Sequence, residues 1–356
     1  MTAFPKRIWG IVLAAALFCA ACARPVPEDP QVYRFQLGST YKNPASSALY
    51  NSLGESIDEF CHKVEEETDG RVIIPPFYDS TLGGAAELFE QLRMGELDFA
   101  VVQPFSNVDK RFGALSLPFL FQDQDEVYQL VCRPDGPIHL MLEDWMGDYG
   151  VTILAVGGAD VFRGFVNSKK PVYLPSDLHD LTVRIYNDGV VQTYWSKLAI
   201  PIQLPFSEVY TAMQTNIVDG LEFAPTGVVA YKLTEVAGYY TDINWQWTFG
   251  TPIMANEEAF SQLPEDLQQI VRRCALEVME EQYRVSRDQN QQAMEKMEEL
   301  GVQVVRLTEE QRNVWEENAR QTAPVLRRQI GEETYDQVTQ TVMEWRSRSG
   351  SAETNE

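Results

Sequence analysis

Apolar and polar positions follow two alternating rhythms along this chain. Leu181, Val183 and Ile185 alternate with Thr182, Arg184 and Tyr186, the period of two that marks a half-buried strand. Apolar runs at 33–37, 71–75, 99–102, 151–156, 163–167, 200–204 and 301–305 predict further strands, and Val218 begins another after a helix. Between them lie windows with helical spacing. Leu49, Leu53, Ile57, Phe60 and Val64 share one face of 46–68. Val209, Ala212, Met213 and Ile217 share a face of a helix that Ser207 can cap. The longest window is 264–300, with Pro264 at its start, helix formers throughout and Gly301 as its stop. At about 1.5 Å per residue it spans on the order of 50 Å, enough to brace two lobes. Thr308 and Gln311 form a capping box for a helix carrying Val314 and Trp315. Residues 347–356 lack an apolar pattern and are expected to be a disordered tail.

One pattern occurs twice. Glu87-Leu88-Phe89 leads to Gly95-Glu96-Leu97-Asp98, and Glu208-Val209-Tyr210 leads to Asn216-Ile217-Val218-Asp219, each matched pair standing 121 positions apart. Gly95 and Asn216 both suit the left-handed backbone at a helix stop. The repeat predicts two similar α/β lobes enclosing a cleft, the default place for a site. The expected division is 32–157 plus 246–285 for the first lobe and 158–245 plus 286–346 for the second. Gly157-Gly158 is the crossover, the chain returns through 248–256, and the dense apolar segment 117–121 serves as core or hinge.

The beginning of the chain adds a compartment. Lys6 and Arg7 precede an apolar run over 8–21, too short to span a membrane, so 1–23 reads as a secretory signal peptide and the protein as periplasmic. Ala21-Cys22-Ala23 supplies small residues for cleavage, and lipidation at Cys22 is the alternative. With 52 acidic against 29 basic side chains the net charge is −23, which makes nucleic acid a poor partner. An acidic protein that handles an anion must hold its positive charge locally. Cys61, Cys132 and Cys274 lack metal-ligand spacing; two could pair in an oxidising compartment, but small buried apolar residues is the favoured reading. No phosphate-cradling loop, dinucleotide fingerprint or nucleophile elbow occurs, so no cofactor, metal or catalytic residue is expected.

Arg184 leaves its strand on the face opposite Val183 and Ile185, near the C-terminal end, where ligands meet open α/β sheets. Its planar fork of donors matches the two oxygens of a carboxylate. Loops at strand ends offer Tyr41, Asn43, Gln103 and Asn187. Trp245 and Trp247 present aromatic surface either to an apolar solute body or to core packing.

Taken together these stretches resemble the DctP-type solute-binding proteins of tripartite ATP-independent periplasmic (TRAP) transporters. The likeness rests on Leu82-Gly83-Gly84 with Glu87-Leu88, Gln91 to Asp98, Leu117 to Phe121, Arg163 to Ser168, Asp177-Leu178 to Arg184, and Glu208 to Thr215 with Val218-Asp219-Gly220. It covers essentially the whole mature chain. The resemblance implies a Venus-flytrap periplasmic binding fold that closes on a small organic carboxylate and delivers it to membrane symporter subunits. It gives Arg184 the grip on the carboxylate and makes Arg163 a second cleft residue, for which a salt bridge is the equal alternative. Phe223 stands where many acidic-sugar binders of the family carry Asn, and Glu222 is followed by Phe rather than the Trp of cation-holding members. The first departure, with the tryptophans, favours a carboxylate with an apolar or aromatic body; the second speaks against a metal. Two competing readings remain: a periplasmic enzyme using Glu87, Glu208 or Glu222 as acid or base, and a sensory domain serving a membrane receptor. Glu87 and Glu208 begin helices, where a carboxylate stabilises the positive end without catalysis.

Overall fold

Strand and helix rhythms sort into two sheets in a computed structural model of the chain, which describes residues 31–353 apart from 47–49, 51, 104, 159–161 and 248–251. The signal segment with Cys22, residues 47–49 and 51 of the 46–68 window, residues 248–251 of the returning chain and residues 354–356 lie outside the described residues. The first sheet has the order Pro76–Phe77, Leu37–Ser39, Phe99–Val101, Pro252–Asn256, Val151–Val156. Its first three strands are parallel, and Pro252–Asn256 returns antiparallel between Phe99–Val101 and Val151–Val156. The second sheet has the order Gln303–Arg306, Tyr239–Gln246, Arg163–Asn167, Gly220–Phe223, Thr182–Ile185, Ile200–Gln203. The strand expected at 33–37 divides: Tyr33–Arg34 pairs with Val72–Ile73, and only from Leu37 does the chain join the first sheet.

The repeated pattern has the same structural meaning in both lobes. Gly95 (φ 72°) and Asn216 (φ 57°) are both left-handed at the helix stop. Asp98 accepts the Gln36 backbone N–H at 2.8 Å and Asp219 accepts that of Thr182 at 2.8 Å, so each carboxylate latches the neighbouring parallel strand. Glu87 accepts the Gly84 N–H at 2.9 Å and closes its helix's first turn.

A single helix, Glu265–Glu299, joins the two cores. Val271, Cys274, Ala275, Val278 and Met279 pack into the first, together with Ile57, Phe60 and Phe99, while Ala293 and Met297 pack into the second with Val209, Leu221 and Val228. Its midpoint meets the crossover. Gly158 donates its N–H to Gln282 Oε1 at 3.1 Å, and Gln124 Nε2 reaches Ser286 Oγ at 3.3 Å. A Cβ at Gly158 would lie 2.7 Å from the Tyr283 ring, so the chain passes this close to the helix only without a side chain. Segment 117–121 touches both halves: Leu117, Leu120 and Phe121 enter the first-lobe core, and Phe119 packs against the second. Phe119 (φ 56°) donates its N–H to Trp245 O at 2.6 Å. Residues of 117–121 thus occupy the hinge.

Two expectations are corrected at the C-terminal end. Trp315 and Ala319 pack in the second-lobe core, but Leu326, Ile330, Val338 and Val342 join the first, with Phe112, Leu115 and Trp145. The helices Ala323–Ile330 and Glu332–Glu353 therefore belong with the first lobe, not with the second as expected for 286–346. The last helix also runs through 347–353, which were expected to be disordered. Just before that stretch Arg346 anchors the helix: its Nη2 donates to Glu126 Oε2 at 2.8 Å and to Leu120 O at 2.8 Å, a tertiary contact that local composition does not reveal. Cys61, Cys132 and Cys274 are buried and unpaired thiols.

Candidate functional site

Strand alternation puts Val183 and Ile185 in the core and Arg184 on the opposite face. Arg184 is 4% exposed. Its Nε donates to Leu204 O at 3.1 Å, and its guanidinium lies 5.5 Å over the Phe206 ring. Among the described residues, neither terminal nitrogen donates to a protein acceptor and no carboxylate forms an ion pair with this arginine. Burial pushes the guanidinium down to about 10; Glu222 opposes that shift and Arg163 adds to it. Arg184 is thus charged at neutral pH, desolvated and held in place, with the forked end of its donor set unused.

Arg163 is built differently. It leaves the central strand of the second sheet and donates through Nη1 to Glu222 Oε2 at 2.6 Å and to Glu222 O at 3.1 Å. Both side chains are buried, and Glu222 is fully so. The guanidinium lies between the rings of Tyr186 and Phe223, 5.1 Å and 5.5 Å away. The charge of Arg163 is met inside the protein, which leaves Arg184 as the guanidinium of the pair whose charge is not.

Aromatic rings surround these cations. Phe206, Phe223 and Tyr231 form a mutual cluster with centroid separations of 5.1, 4.6 and 6.0 Å. Tyr186, two residues beyond Arg184 on the same strand face, stacks against Phe105 from the other lobe at 5.5 Å. Its hydroxyl donates to Gln246 Oε1 at 3.2 Å, and Gln246 Nε2 donates to Ser116 O at 3.2 Å. Lys42, between the expected Tyr41 and Asn43, crosses from the first lobe to place its ammonium 4.9 Å over the Tyr231 ring. Both lobes therefore reach the site.

Of the residues singled out from sequence, Arg184, Arg163, Glu222 and Phe223 come together here. Gln103 follows its strand, 8% exposed, with no hydrogen-bond partner among the described residues. Asn187 is exposed beside Asp188, whose buried carboxylate ties the lobes by accepting the Ser106 N–H at 3.0 Å. Tyr41 packs on the first-lobe core, and Asn43 turns its amide oxygen to the Ala45 N–H at 2.8 Å. The tryptophans resolve as core residues. Trp245 is fully buried against Tyr194 and Trp195, with centroids 5.3 and 5.6 Å away, and Trp247 meets Phe121 edge-on at 5.6 Å in the first-lobe core. A bulge at Asn244 (φ 54°) restarts the strand so that Trp245 faces inward and Gln246 faces Tyr186. Phe206, Tyr231, Lys42, Tyr186 and Gln246 had not been picked out. Tyr186 and Gln246 were open to the same alternation argument as Arg184; Phe206 and Tyr231 come from separate turns that only tertiary packing unites.

Two α/β lobes, a bracing helix and a buried guanidinium with no ion-pair partner among the described residues fit the class of extracytoplasmic solute-binding proteins. The sequence profile described as "Bacterial extracellular solute-binding protein, family 7" (DctP) matches residues 46–329, and the chain belongs to that family. It is 26% identical over 338 residues to the C4-dicarboxylate-binding periplasmic protein DctP of Rhodobacter capsulatus, covering 92% of this chain and 96% of that one. Among solved structures it is similar to the sugar acid binding protein DctPAm of Advenella mimigardefordensis in complex with galactonate, with TM-score 0.79, 25% identity, and 89% and 99% of the two chains covered. It is also similar to a TRAP periplasmic solute-binding protein of Sulfurospirillum deleyianum with bound succinate, with TM-score 0.77, 26% identity, and 86% and 98% covered.

Proposed function

We propose that this protein captures a small organic carboxylate between its lobes and delivers it to the membrane subunits of a TRAP transporter. The observation that carries the reading is Arg184, a charged guanidinium 4% exposed to solvent with both terminal nitrogens unengaged among the described residues. A carboxylate bound there completes two charge-assisted hydrogen bonds in a desolvated setting. Contacts from both lobes then favour the closed form, because the ligand interacts fully only with that form. Export through the 1–23 signal peptide, with cleavage or lipidation near Cys22, supplies the periplasmic location expected of the family.

Two of the three carboxylates that an enzyme would use are engaged in the structure. Glu87 caps its own helix and Glu222 is tied to Arg163. Glu208 is exposed at the start of its helical turn. These engagements and the family support capture without turnover. In a thermal-shift screen of organic acids, hits should raise the Tm, and overnight incubation followed by NMR of the released ligand should return the acid unchanged. Chemical conversion of the acid, or no shift with any carboxylate, would contradict the proposal.

A further inference from the structure

The charges and rings around Arg184 go further than "a carboxylate". We infer that the ligand is a monocarboxylate with a flat apolar or aromatic body, its carboxylate on Arg184 and its body against the Phe206–Phe223–Tyr231 cluster. The inference rests on the proposed role of Arg184.

The first argument is charge. Two guanidiniums stand at the site, but Arg163 is already matched by the fully buried Glu222 at 2.6 Å. Two positive groups and one negative leave these three with a net charge of one positive, which one carboxylate matches. A second carboxylate placed against these three groups would stand beside the Glu222 carboxylate. Lys42, from the first lobe, holds its ammonium over the Tyr231 ring, 4.9 Å from its centroid.

The second argument is surface. Each cation lies over a ring of the same cluster: Arg184 over Phe206, Arg163 over Phe223, Lys42 over Tyr231. Phe206 and Tyr231 remain only half-buried, whereas Phe223 is 7% exposed and forms the floor. That floor is built in. A Cβ at position 227 would lie 2.3 Å from the Phe223 ring, so Gly227 makes the space the ring occupies. The hydroxyls of a polyhydroxylated acid would lose water against these ring faces without gaining partners there. A planar apolar body gains burial and ring contact.

The test is calorimetry on the full mature chain with phenylacetate, succinate and D-glucuronate as probes. Phenylacetate should bind about tenfold or more tighter than either of the others. Phe206→Ala should weaken phenylacetate by roughly tenfold, with Phe206→Leu recovering part of the loss, while melting curves show both variants folded. Succinate or D-glucuronate binding tenfold tighter than phenylacetate, and lost in Arg184→Ala, would overturn this inference and leave the carboxylate reading standing. Phenylacetate affinity unchanged in Phe206→Ala, or no binding of any probe to folded protein, would also overturn it. Binding that survives Arg184→Ala would instead remove the role of Arg184 on which the inference rests.

Discussion

Replacing Arg184 with methionine is expected to abolish solute binding while leaving the unliganded protein at least as stable. Removing one partner of a buried charge pair costs about 3–5 kcal/mol, so affinity should fall by roughly 10²- to 10³-fold or more. Stability moves the other way because the unliganded protein carries a desolvated cation with no carboxylate beside it. Burial pulls that guanidinium down to about 10, below its ordinary range. From about pH 10 upward the folded form binds fewer protons than the unfolded chain, so the cost is full below about pH 10 and relieved above it. Methionine removes a penalty on the order of 1–3 kcal/mol at neutral pH. The same shift predicts binding that is level through neutral pH and weakens as pH rises past about 10, where the free protein loses the charge. Calorimetry and thermal melts of both proteins test this together. A variant that binds normally, or one that loses binding only because it melts early, would contradict the assignment.

The largest loss of stability is expected from Glu222→Ala. It strips Arg163 of its 2.6 Å partner in a buried site and removes the negative charge that acts on both Arg163 and Arg184. A cost of about 3–5 kcal/mol corresponds to a fall in Tm on the order of 10 °C. Replacing both members, as Arg163→Met with Glu222→Met, should recover most of that loss, because an apolar pair carries no unmatched charge. A double variant whose Tm falls by the sum of the single losses would show that the two residues act independently, against the paired charge count at the site.

The sequence carried the frame better than the walls of the site. Arg184 was legible because a strand's period of two fixes the face of every residue once Val183 and Ile185 are given to the core. The 121-residue repeat revealed both helix stops and both latching aspartates, since these are local devices written into adjacent positions. Trp245 and Trp247 were ambiguous for a physical reason: large rings serve cores and ligands alike, and only the bulge at Asn244 decides which way Trp245 turns. Phe206 and Tyr231 stand 25 positions apart on different turns, and no local rhythm joins them. The C-terminal helices were given to the wrong lobe for a related reason. Their apolar faces fit either core, and it is Arg346, reaching Glu126 and Leu120, that shows where the last one docks.

A crystal structure of the protein with its tightest-binding acid tests the central claim most directly. The account predicts both carboxylate oxygens on the two terminal nitrogens of Arg184, at about 2.7–2.9 Å, with contacts from both lobes. A carboxylate seated on Lys42 or elsewhere, with the fork of Arg184 still unengaged, would contradict it.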